Sequence, residues 1–242
     1  MRWTIPRESA KLPQRIGRAN PTTVREVKMA RFHERLLEVN APLLERSRNH
    51  PFVLKMADGT LPRGAFLRWL SQDYLWVREL EQFLSLLASR APRQMRRTFF
   101  EALLTQHGEI ELFEEAALRA QADIKGTRMG FTCHAYSSFL LATVSARSFE
   151  EALAGLYAAE FTYVDAWSHV KSLQEKPGPW QEFVDLWSGD GYRHWVGTLA
   201  GIVDQAAEAS SSAVQQAMHD AFRIALHYEL RFWNAAFEEE KW

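Results

Sequence analysis

The sequence has a single cysteine, Cys133, among 242 residues. An intramolecular disulfide needs two cysteines, so a disulfide-stabilised secreted fold is excluded, and one thiol is typical of a reducing cytoplasm. Residues 1–31 are rich in Arg and Pro and lack the apolar run of a secretory signal. We therefore expect a cytoplasmic protein.

The sequence also lacks an excess of either charge and lacks long apolar runs. Its 29 basic residues nearly balance its 30 acidic ones, whereas nucleic-acid or anionic-membrane surfaces are markedly basic. Charged residues interrupt every apolar stretch well before the roughly 20 residues that a membrane-spanning helix needs. The composition therefore predicts neither a nucleic-acid partner nor a membrane partner.

Apolar residues recur at three- and four-residue spacing through most of the chain, which is typical of helices with one buried face. No segment alternates with the two-residue period of a strand for long enough to predict one. Ser148 followed by Glu151 is a capping-box pattern and predicts a helix start, and His50 before Pro51 is interpreted as the end of the first helix. We predict helices over about 24–47, 62–89, 93–122, 131–146, 148–173, 192–209 and 210–242, with a short one ending near Trp187 and a turn over 188–191.

These helices predict one all-α domain with a bundle-like core over residues 23–242. Residues 1–22 are predicted to be a polar arm that is flexible or contacts another subunit.

Acidic residues lie among aromatic ones in four segments of the predicted helices. A carboxylate among aromatic rings loses hydration, which holds its proton more tightly and makes its acid–base chemistry useful near neutral pH. Aromatic faces also stack on flat heterocycles. The pattern predicts an enclosed site for a small, planar, nitrogen-containing molecule. The segments are Trp69-Asp73-Trp76, Glu160-Tyr163, Asp190-Tyr192 and Tyr228-Glu229-Phe232-Trp233.

Asp73 lies on an apolar helix stripe, at i+4 from Trp69 and three residues before Trp76. A buried aspartate must find donors, because burying it bare costs several kcal/mol, on the order of 2–7 even for a neutral polar group. Asp73 could find its donors in a structural ion pair with an interior arginine, such as Arg78 or Arg231. Alternatively, Asp73 could have a functional role in a site. Spacing alone leaves both open.

Glu229 shares a helix face with Trp233, and the spacing of Glu229 from Arg223 is poor for a surface ion pair. An inward orientation is therefore favoured for Glu229. Glu160 shares a face with Tyr163 in a small, apolar context, so we also expect Glu160 to be buried.

A di-iron site in a helical bundle needs repeated Glu and His pairs, and only His107 with Glu111 has convincing spacing. We therefore predict no metal. Cys133 lies about 200° around its helix from Phe131. If Phe131 lines a site, Cys133 does not, and Cys133 is predicted to be a small core residue.

Four segments resemble the TenA/THI-4 family in their order and separation. The segment HPFVLKMADGTLPRGAFLRWLSQDYLWV (50–77) has the family's His-Pro-Phe, Gly-Thr-Leu-Pro turn and Gln-Asp-Tyr helix, and HYELRFWNAAFEEEKW (227–242) has its Tyr-Glu-x-x-Phe-Trp core. Between them lie FTCHAYSSFLL (131–141) and WSGDGYRHWV (187–196). The resemblance covers about residues 30–242. It implies a haem-oxygenase-like all-α fold, a homo-oligomer (dimer or tetramer), and thiamin salvage by cofactor-free hydrolysis of aminopyrimidines.

Carried over residue by residue, the resemblance implies an essential aspartate at Asp73, a catalytic glutamate at Glu229 and a site tyrosine at Tyr163. Trp233, on the Glu229 face, is added to the aromatic residues around the pyrimidine. The other aromatic residues implied there are Trp76, Phe131 and Trp187.

One position departs from the better-known members, which carry a cysteine nucleophile one turn before Tyr163, where this chain has Ala159. The neighbouring Glu160 resembles the cysteine-lacking TenA_E branch. We therefore predict hydrolysis of an aminomethyl- or formylaminomethyl-pyrimidine by Glu229, Glu160, Asp73 and Tyr163. The alternatives are a metal-dependent oxidase or oxygenase on the same fold and a non-catalytic pyrimidine-binding or regulatory protein.

Overall fold

Residues 30–240 form ten α-helices with no strand among them, which confirms the predicted all-α class. The computed structural model describes these residues apart from the side chain of His107, so the predicted arm over residues 1–22 lies outside the described residues. None of the described helices combines the length and apolarity needed to cross a membrane. The helices are α1 Phe32–Val39, α2 Ala41–Arg48, α3 Pro51–Ala57, α4 Arg63–Arg90, α5 Arg96–Arg119, α6 Phe131–Ala146, α7 Phe149–Leu173, α8 Gln181–Trp187, α9 Asp190–Glu208 and α10 Ser212–Glu238.

Helix α7 lies at the centre of the bundle because it is apolar on every side. Every residue from Ala152 to Glu160 is buried, which a helix with only one apolar face would not allow. Helix α7 packs against α10, α9, α3, α8, α6 and α2, while α4 packs against α5, α6 and α10. Their buried side chains form one continuous core.

The predicted start of α7 is confirmed by its capping box. The Ser148 hydroxyl oxygen accepts a hydrogen bond from the Glu151 backbone N–H at 3.1 Å, and the Glu151 carboxylate accepts one from the Ser148 N–H at 3.3 Å. These two bonds satisfy backbone groups that would otherwise lack partners at the helix end.

The predicted first helix, over about 24–47, is in fact divided within its described part. Asn40 ends α1 and precedes α2, whose second residue is Pro42. Proline is favoured in the first turn of a helix because its φ is already set and its missing N–H is not needed there.

The interpretation of His50 as a helix end was wrong. Its ring Nδ1 accepts a hydrogen bond from the Phe52 N–H at 3.1 Å, so His50 caps the start of α3. The same preference for proline applies here, since Pro51 is the first residue of α3.

Three long helices position the acidic residues of the predicted site. Asp73 lies in α4, Glu160 in the centre of α7 and Glu229 in α10, and α10 packs against both of the other two. The mutual packing of these helices brings the three side chains into one region of the core.

Candidate active site

Three carboxylic acids from three helices are buried in this region. Asp73 is 1% exposed, Glu160 6% and Glu229 2%. Within residues 30–240, no Lys or Arg forms an ion pair with any of them. Burial without a cation favours the protonated form of each acid.

Asp73 is held by Tyr163, whose hydroxyl donates a hydrogen bond to Asp73 Oδ1 at 2.6 Å. The Trp69 indole N–H donates in turn to the Tyr163 oxygen at 3.4 Å, while Asp73 Oδ2 has no hydrogen-bond partner among the described residues. Burial raises the pKa of Asp73 to about 7, and the nearby charge of Glu160 adds to that rise. The Tyr163 hydroxyl thus fixes Asp73 Oδ1, and Asp73 Oδ2 is available for a ligand.

The structural ion pair that was considered for Asp73, with Arg78 or Arg231, is not formed. The Arg78 guanidinium lies over the Tyr74 ring, 5.7 Å from its centroid, and Arg231 is exposed on the surface of α10.

Glu160 receives two hydrogen bonds on one oxygen. The Tyr192 hydroxyl donates to Oε2 at 2.6 Å and the Trp195 indole N–H donates to the same atom at 2.9 Å. Burial raises the pKa of Glu160, and these two donors oppose the rise. The start of α9 therefore supports the carboxylate that α7 presents.

Glu229 is the most strongly perturbed of the three acids. Burial raises its pKa well above the ordinary glutamate value, Asp73 and Glu160 raise it further, and the neighbouring Tyr136 hydroxyl opposes the shift. Glu229 Oε2 has no hydrogen-bond partner among the described residues. The surface ion pair with Arg223 is not formed, because Arg223 contacts Asp220 at 3.5 Å.

A fourth acid, Glu109 of α5, joins this group and was not identified from the sequence. Burial raises its pKa to about 8, and the charges of Glu160 and Asp73 contribute, while a hydrogen bond from Trp187 opposes the shift. Glu109 lies four residues before the fully buried Phe113, so it falls on the same helix face. The four-residue spacing between Glu109 and Phe113 is the feature of the sequence that could have predicted an inward orientation of Glu109.

Asp73, Glu109 and Glu160 border a cavity of about 20 Å³. This volume holds about one water molecule, which is less than a pyrimidine ring needs, so ring binding requires side chains to move or the cavity to extend. Glu229 is not among the residues that border it. The lining consists of Asp73, Trp76, Val77, Leu80, Glu109, Ala159, Glu160, Tyr163, Trp187 and Tyr192.

Aromatic rings pack on both sides of Tyr163, and of these Trp187 borders the cavity while Trp233 does not. The Tyr163 ring stacks on Trp233, with centroids 5.6 Å apart and an angle of 22° between the planes. Trp187 meets Tyr163 edge-on at 5.3 Å and 84°. The sequence-predicted residues Trp76, Trp187 and Trp233 are all buried, and such rings limit the shape of a ligand to a flat one.

Comparison with known proteins agrees with this architecture. A model of the TENA/THI-4/PQQC family matches residues 39–239. The chain belongs to this family.

This TENA/THI-4/PQQC member is similar in sequence and structure to several known proteins. It is 28% identical over 222 residues to the aminopyrimidine aminohydrolase of Bacillus subtilis, a match that covers 88% of this chain and 92% of that protein. A TenA homologue from Pyrococcus furiosus has 28% identity and a TM-score of 0.83, with 85% of this chain and all of that chain covered.

A protein domain from Shewanella denitrificans with a haem-oxygenase-like fold has a TM-score of 0.66 at 11% identity, covering 86% of this chain and 90% of that chain. At this identity the likeness shows the fold alone. The predicted haem-oxygenase-like bundle is confirmed.

In this TENA/THI-4/PQQC member, the residue one turn before Tyr163 is Ala159, and it borders the small cavity. The lining residues given above include no cysteine, serine or lysine, and these are common nucleophiles in covalent catalysis. The side chains that the cavity offers for chemistry are carboxylates and phenols.

Phe131 does not lie at this cavity, contrary to the sequence-based assignment. It is the first residue of α6 and is 53% exposed. The buried face of α6 carries Cys133 and Tyr136 instead, and a two-residue step from Cys133 turns Phe131 to the opposite side. The Tyr136 ring packs against that of Trp76, with the ring centroids 5.5 Å apart.

Cys133 is a buried core residue, as predicted. It is 2% exposed, and its Sγ donates to the Gln72 carbonyl oxygen at 3.3 Å. Burial raises the pKa of the thiol, and the Asp73 carboxylate nearby raises it further. Both effects keep the sulfur in its unreactive thiol form.

We expect Cys133 to resist modification in the folded protein. A chromogenic disulfide reagent at neutral pH should label the native chain far more slowly than the urea-unfolded chain, in which one thiol per chain should react at once. Prompt stoichiometric labelling without urea would show that Cys133 is accessible.

No group of three or more His, Cys, Asp or Glu residues in the described part of the chain has the geometry to hold a metal ion. Of the His107 and Glu111 pair, the His107 side chain lies outside the described residues.

Proposed function

We propose that this protein is a thiamin-salvage hydrolase that acts on an aminopyrimidine, either the aminomethyl or the formylaminomethyl derivative. The observation that carries this proposal is the convergence of Asp73, Glu160 and Glu229, buried, unpaired with cations and walled by aromatic rings. The similarity to the Bacillus subtilis aminopyrimidine aminohydrolase over most of both chains supports it.

Asp73 would orient the substrate. Its Oδ2 has no partner among the described residues, so it could accept a hydrogen bond from the amino group of a pyrimidine or, when protonated, donate one to a ring nitrogen. The Tyr163 hydroxyl hydrogen is already committed to Asp73 Oδ1, so we assign Tyr163 to holding Asp73 rather than to stabilising a developing negative charge. Fixing both groups before substrate arrives reduces the entropy lost in reaching the reactive geometry.

Glu229 would act as the general acid. Burial raises the pKa of Glu229, which favours its protonated form, and a protonated Glu229 can donate its proton to the substrate as the carbon–nitrogen bond breaks. Glu160, with one oxygen fixed by Tyr192 and Trp195, would activate the attacking water or hold the departing amine. Acids whose environments separate their pKa values can divide these roles.

The reaction balances without a redox partner. The oxygen of water bonds to the methylene carbon while the carbon–nitrogen bond breaks and its electron pair leaves with nitrogen. One proton from water completes the amine and the other stays on the hydroxyl group of the new hydroxymethyl product.

We expect the purified chain to convert the aminomethyl compound to hydroxymethylpyrimidine and ammonia in equal amounts. Chromatography of the pyrimidine and an ammonia assay follow the two products, with heat-denatured protein as the control. The formylaminomethyl compound is tested in parallel. No product from either compound at high protein concentration would contradict a hydrolase, and thermal stabilisation by the compounds without turnover would favour the non-catalytic alternative.

We further propose that the protein is a cytoplasmic homo-oligomer. Phe100, Leu104 and Leu118 lie on one outer face of α5 and are 52%, 80% and 81% exposed. Large exposed apolar groups of this kind are typical of protein interfaces. Light scattering coupled to gel filtration measures the number of subunits directly.

A further inference from the structure

His50 is a buried histidine at the junction of α2 and α3, and the proposed hydrolysis makes no use of it. It is 6% exposed. Its Nδ1 accepts a hydrogen bond from the Phe52 backbone N–H at 3.1 Å, and its Nε2 lies 3.0 Å from Oδ1 of Asn234 in α10. A ring nitrogen that accepts from an N–H carries no hydrogen, so the ring hydrogen lies on Nε2 and is donated to the Asn234 oxygen. Both contacts therefore require the neutral Nε2–H tautomer.

The surroundings of the His50 ring favour the same uncharged form. The Phe237 ring of α10 packs against it edge-to-face, with the centroids 6.1 Å apart and the planes at 90°. Burial lowers the pKa of His50 below its ordinary value of 6.5, although the hydrogen bond with Asn234 opposes that shift. A proton on Nδ1 would also remove the acceptor that the Phe52 N–H uses at the start of α3. His50 therefore joins α3 to α10 as an uncharged ring.

Ser47, in the last turn of α2, makes a second contact with α10. Its hydroxyl oxygen accepts a hydrogen bond from the Trp233 indole N–H at 2.9 Å, and both residues are buried. Trp233 and Asn234 are consecutive, so Ser47 and His50 hold neighbouring residues of α10. Glu229 lies one turn before Trp233 on the same helix face. The junction of α2 and α3 therefore fixes the part of α10 that carries the proposed general acid.

A run of aromatic rings leads from this junction to Asp73. Phe52 stacks on Trp233, with the centroids 5.1 Å apart and an angle of 29° between the planes, and the Phe52 ring lies 6.1 Å from that of Trp69. Trp233 stacks in turn on Tyr163, while the Trp69 indole donates to the Tyr163 oxygen. Phe52 thus packs against both tryptophans that hold Tyr163, the residue whose hydroxyl orients Asp73.

We infer that His50 is a positioning residue for the candidate active site, and that it acts by fixing the start of α3 against Asn234 of α10. This inference rests on the proposed function, in which Asp73 orients the pyrimidine. Loss of either ring contact would free Phe52 to shift against Trp233, and Tyr163 would then hold Asp73 less firmly. A misplacement of about 1 Å can lower a rate by roughly a hundredfold, so a side chain that never touches the substrate can control turnover.

Three substitutions separate the two contacts of the ring. His50→Ala removes both of them. His50→Asn keeps the contact with α3, because asparagine is a preferred helix cap whose oxygen accepts a backbone N–H bond, but its side chain is too short to reach Asn234. Asn234→Ala removes only the contact with α10, and it provides the same test if a His50 variant fails to fold. His227→Asn, the same substitution at an exposed histidine of α10, is the matched control.

The first comparison is between stability and activity. In urea unfolding, His50→Asn should recover most of the stability lost in His50→Ala, because it restores the cap of α3. Its kcat/KM for the aminomethylpyrimidine should nevertheless stay about tenfold below wild type, as expected for a misplaced orienting group, and Asn234→Ala should show the same loss. His227→Asn should stay within about twofold of wild type. Wild-type kcat/KM in folded His50→Asn and Asn234→Ala would overturn the inference.

A Tyr163→Phe background tests whether His50 acts through Tyr163. This substitution removes the hydroxyl that orients Asp73, so the position of the ring no longer matters for that contact. In this background, His50→Asn should lower kcat/KM by less than about twofold, whereas two independent effects would multiply and preserve the loss of about tenfold. Equal losses in the two backgrounds would overturn the inference.

Two further measurements do not depend on turnover. Nitrogen NMR of histidine-labelled protein at neutral pH should show His50 with hydrogen on Nε2 alone, and hydrogen on Nδ1 would overturn the inference. In calorimetry, hydroxymethylpyrimidine should bind His50→Asn about tenfold more weakly than wild type, the scale of one weakened hydrogen bond, and should bind His227→Asn unchanged. These results without hydrolysis would support the positioning role and contradict the proposed reaction. Wild-type affinity in His50→Asn would overturn the positioning role alone, and no binding to wild type would overturn both.

Discussion

Replacing Glu229 with glutamine is expected to lower kcat for the aminomethylpyrimidine by about a thousandfold, within the range that general acid–base groups contribute. Burial raises the pKa of Glu229, which favours the protonated side chain over the charged one. Glutamine reproduces the shape and neutrality of that protonated acid but has no proton to transfer. The fold should therefore persist while turnover is lost.

The matched control is Glu238→Gln, the same substitution at an exposed position of α10. Its kcat should stay within about twofold of wild type, because exposed substitutions away from a site seldom matter. Circular dichroism and thermal unfolding establish that both variants are folded. A folded Glu229→Gln protein with wild-type kcat would remove Glu229 from the proton transfer.

The second large effect is a pH-dependent change in stability on replacing Asp73 with asparagine. Burial raises the pKa of Asp73 to about 7 from its ordinary 3.8, so between these values the native state binds a proton that the unfolded state releases. Stability from this group is fully present below about pH 4 and is lost as the pH rises through about 7. Relative to Asp73→Asn, wild type should lose about 3 kcal/mol between about pH 5 and about pH 8.5.

Urea unfolding of both proteins at the two pH values measures this difference directly. Asparagine cannot titrate, so the comparison cancels the other ionisable groups to the extent that they are independent of Asp73. Glu81→Gln, at an exposed position of the same helix, is the control and should differ from wild type by the same amount at both pH values. An unchanged difference between wild type and Asp73→Asn would mean that Asp73 is ionised in the folded protein and that its proton plays no part.

Much of the helical architecture was predictable because it depends on local pattern. The buried face of α4 follows the three- and four-residue spacing of Trp69, Asp73 and Trp76, and the capping box at Ser148 starts α7 where the pattern places it. The break at Asn40 was missed because the apolar spacing continues across it. Periodicity reports which face is buried and is insensitive to a change in helix direction.

For the site, local spacing indicated which acids face inward but not what they meet. Asp73 had two open interpretations, and the absence of an ion pair with Arg78 or Arg231 was decided by helix packing. The exposure of Phe131 was not predictable, because the likeness of a segment does not specify which of its aromatic residues faces the core, and in α6 that residue is Tyr136.

The helical class and the inward orientation of Asp73, Glu160 and Glu229 were predictable because they depend on spacing within single helices, and the family resemblance was visible because it depends on short motifs and their order in the sequence. Only the packing of the helices brings Glu109 of α5 to this group and places Glu109 and Glu160 at both a small and a large cavity. Distances between side chains on different helices, and the volume left between them, depend on how the helices pack. No local pattern encodes that packing.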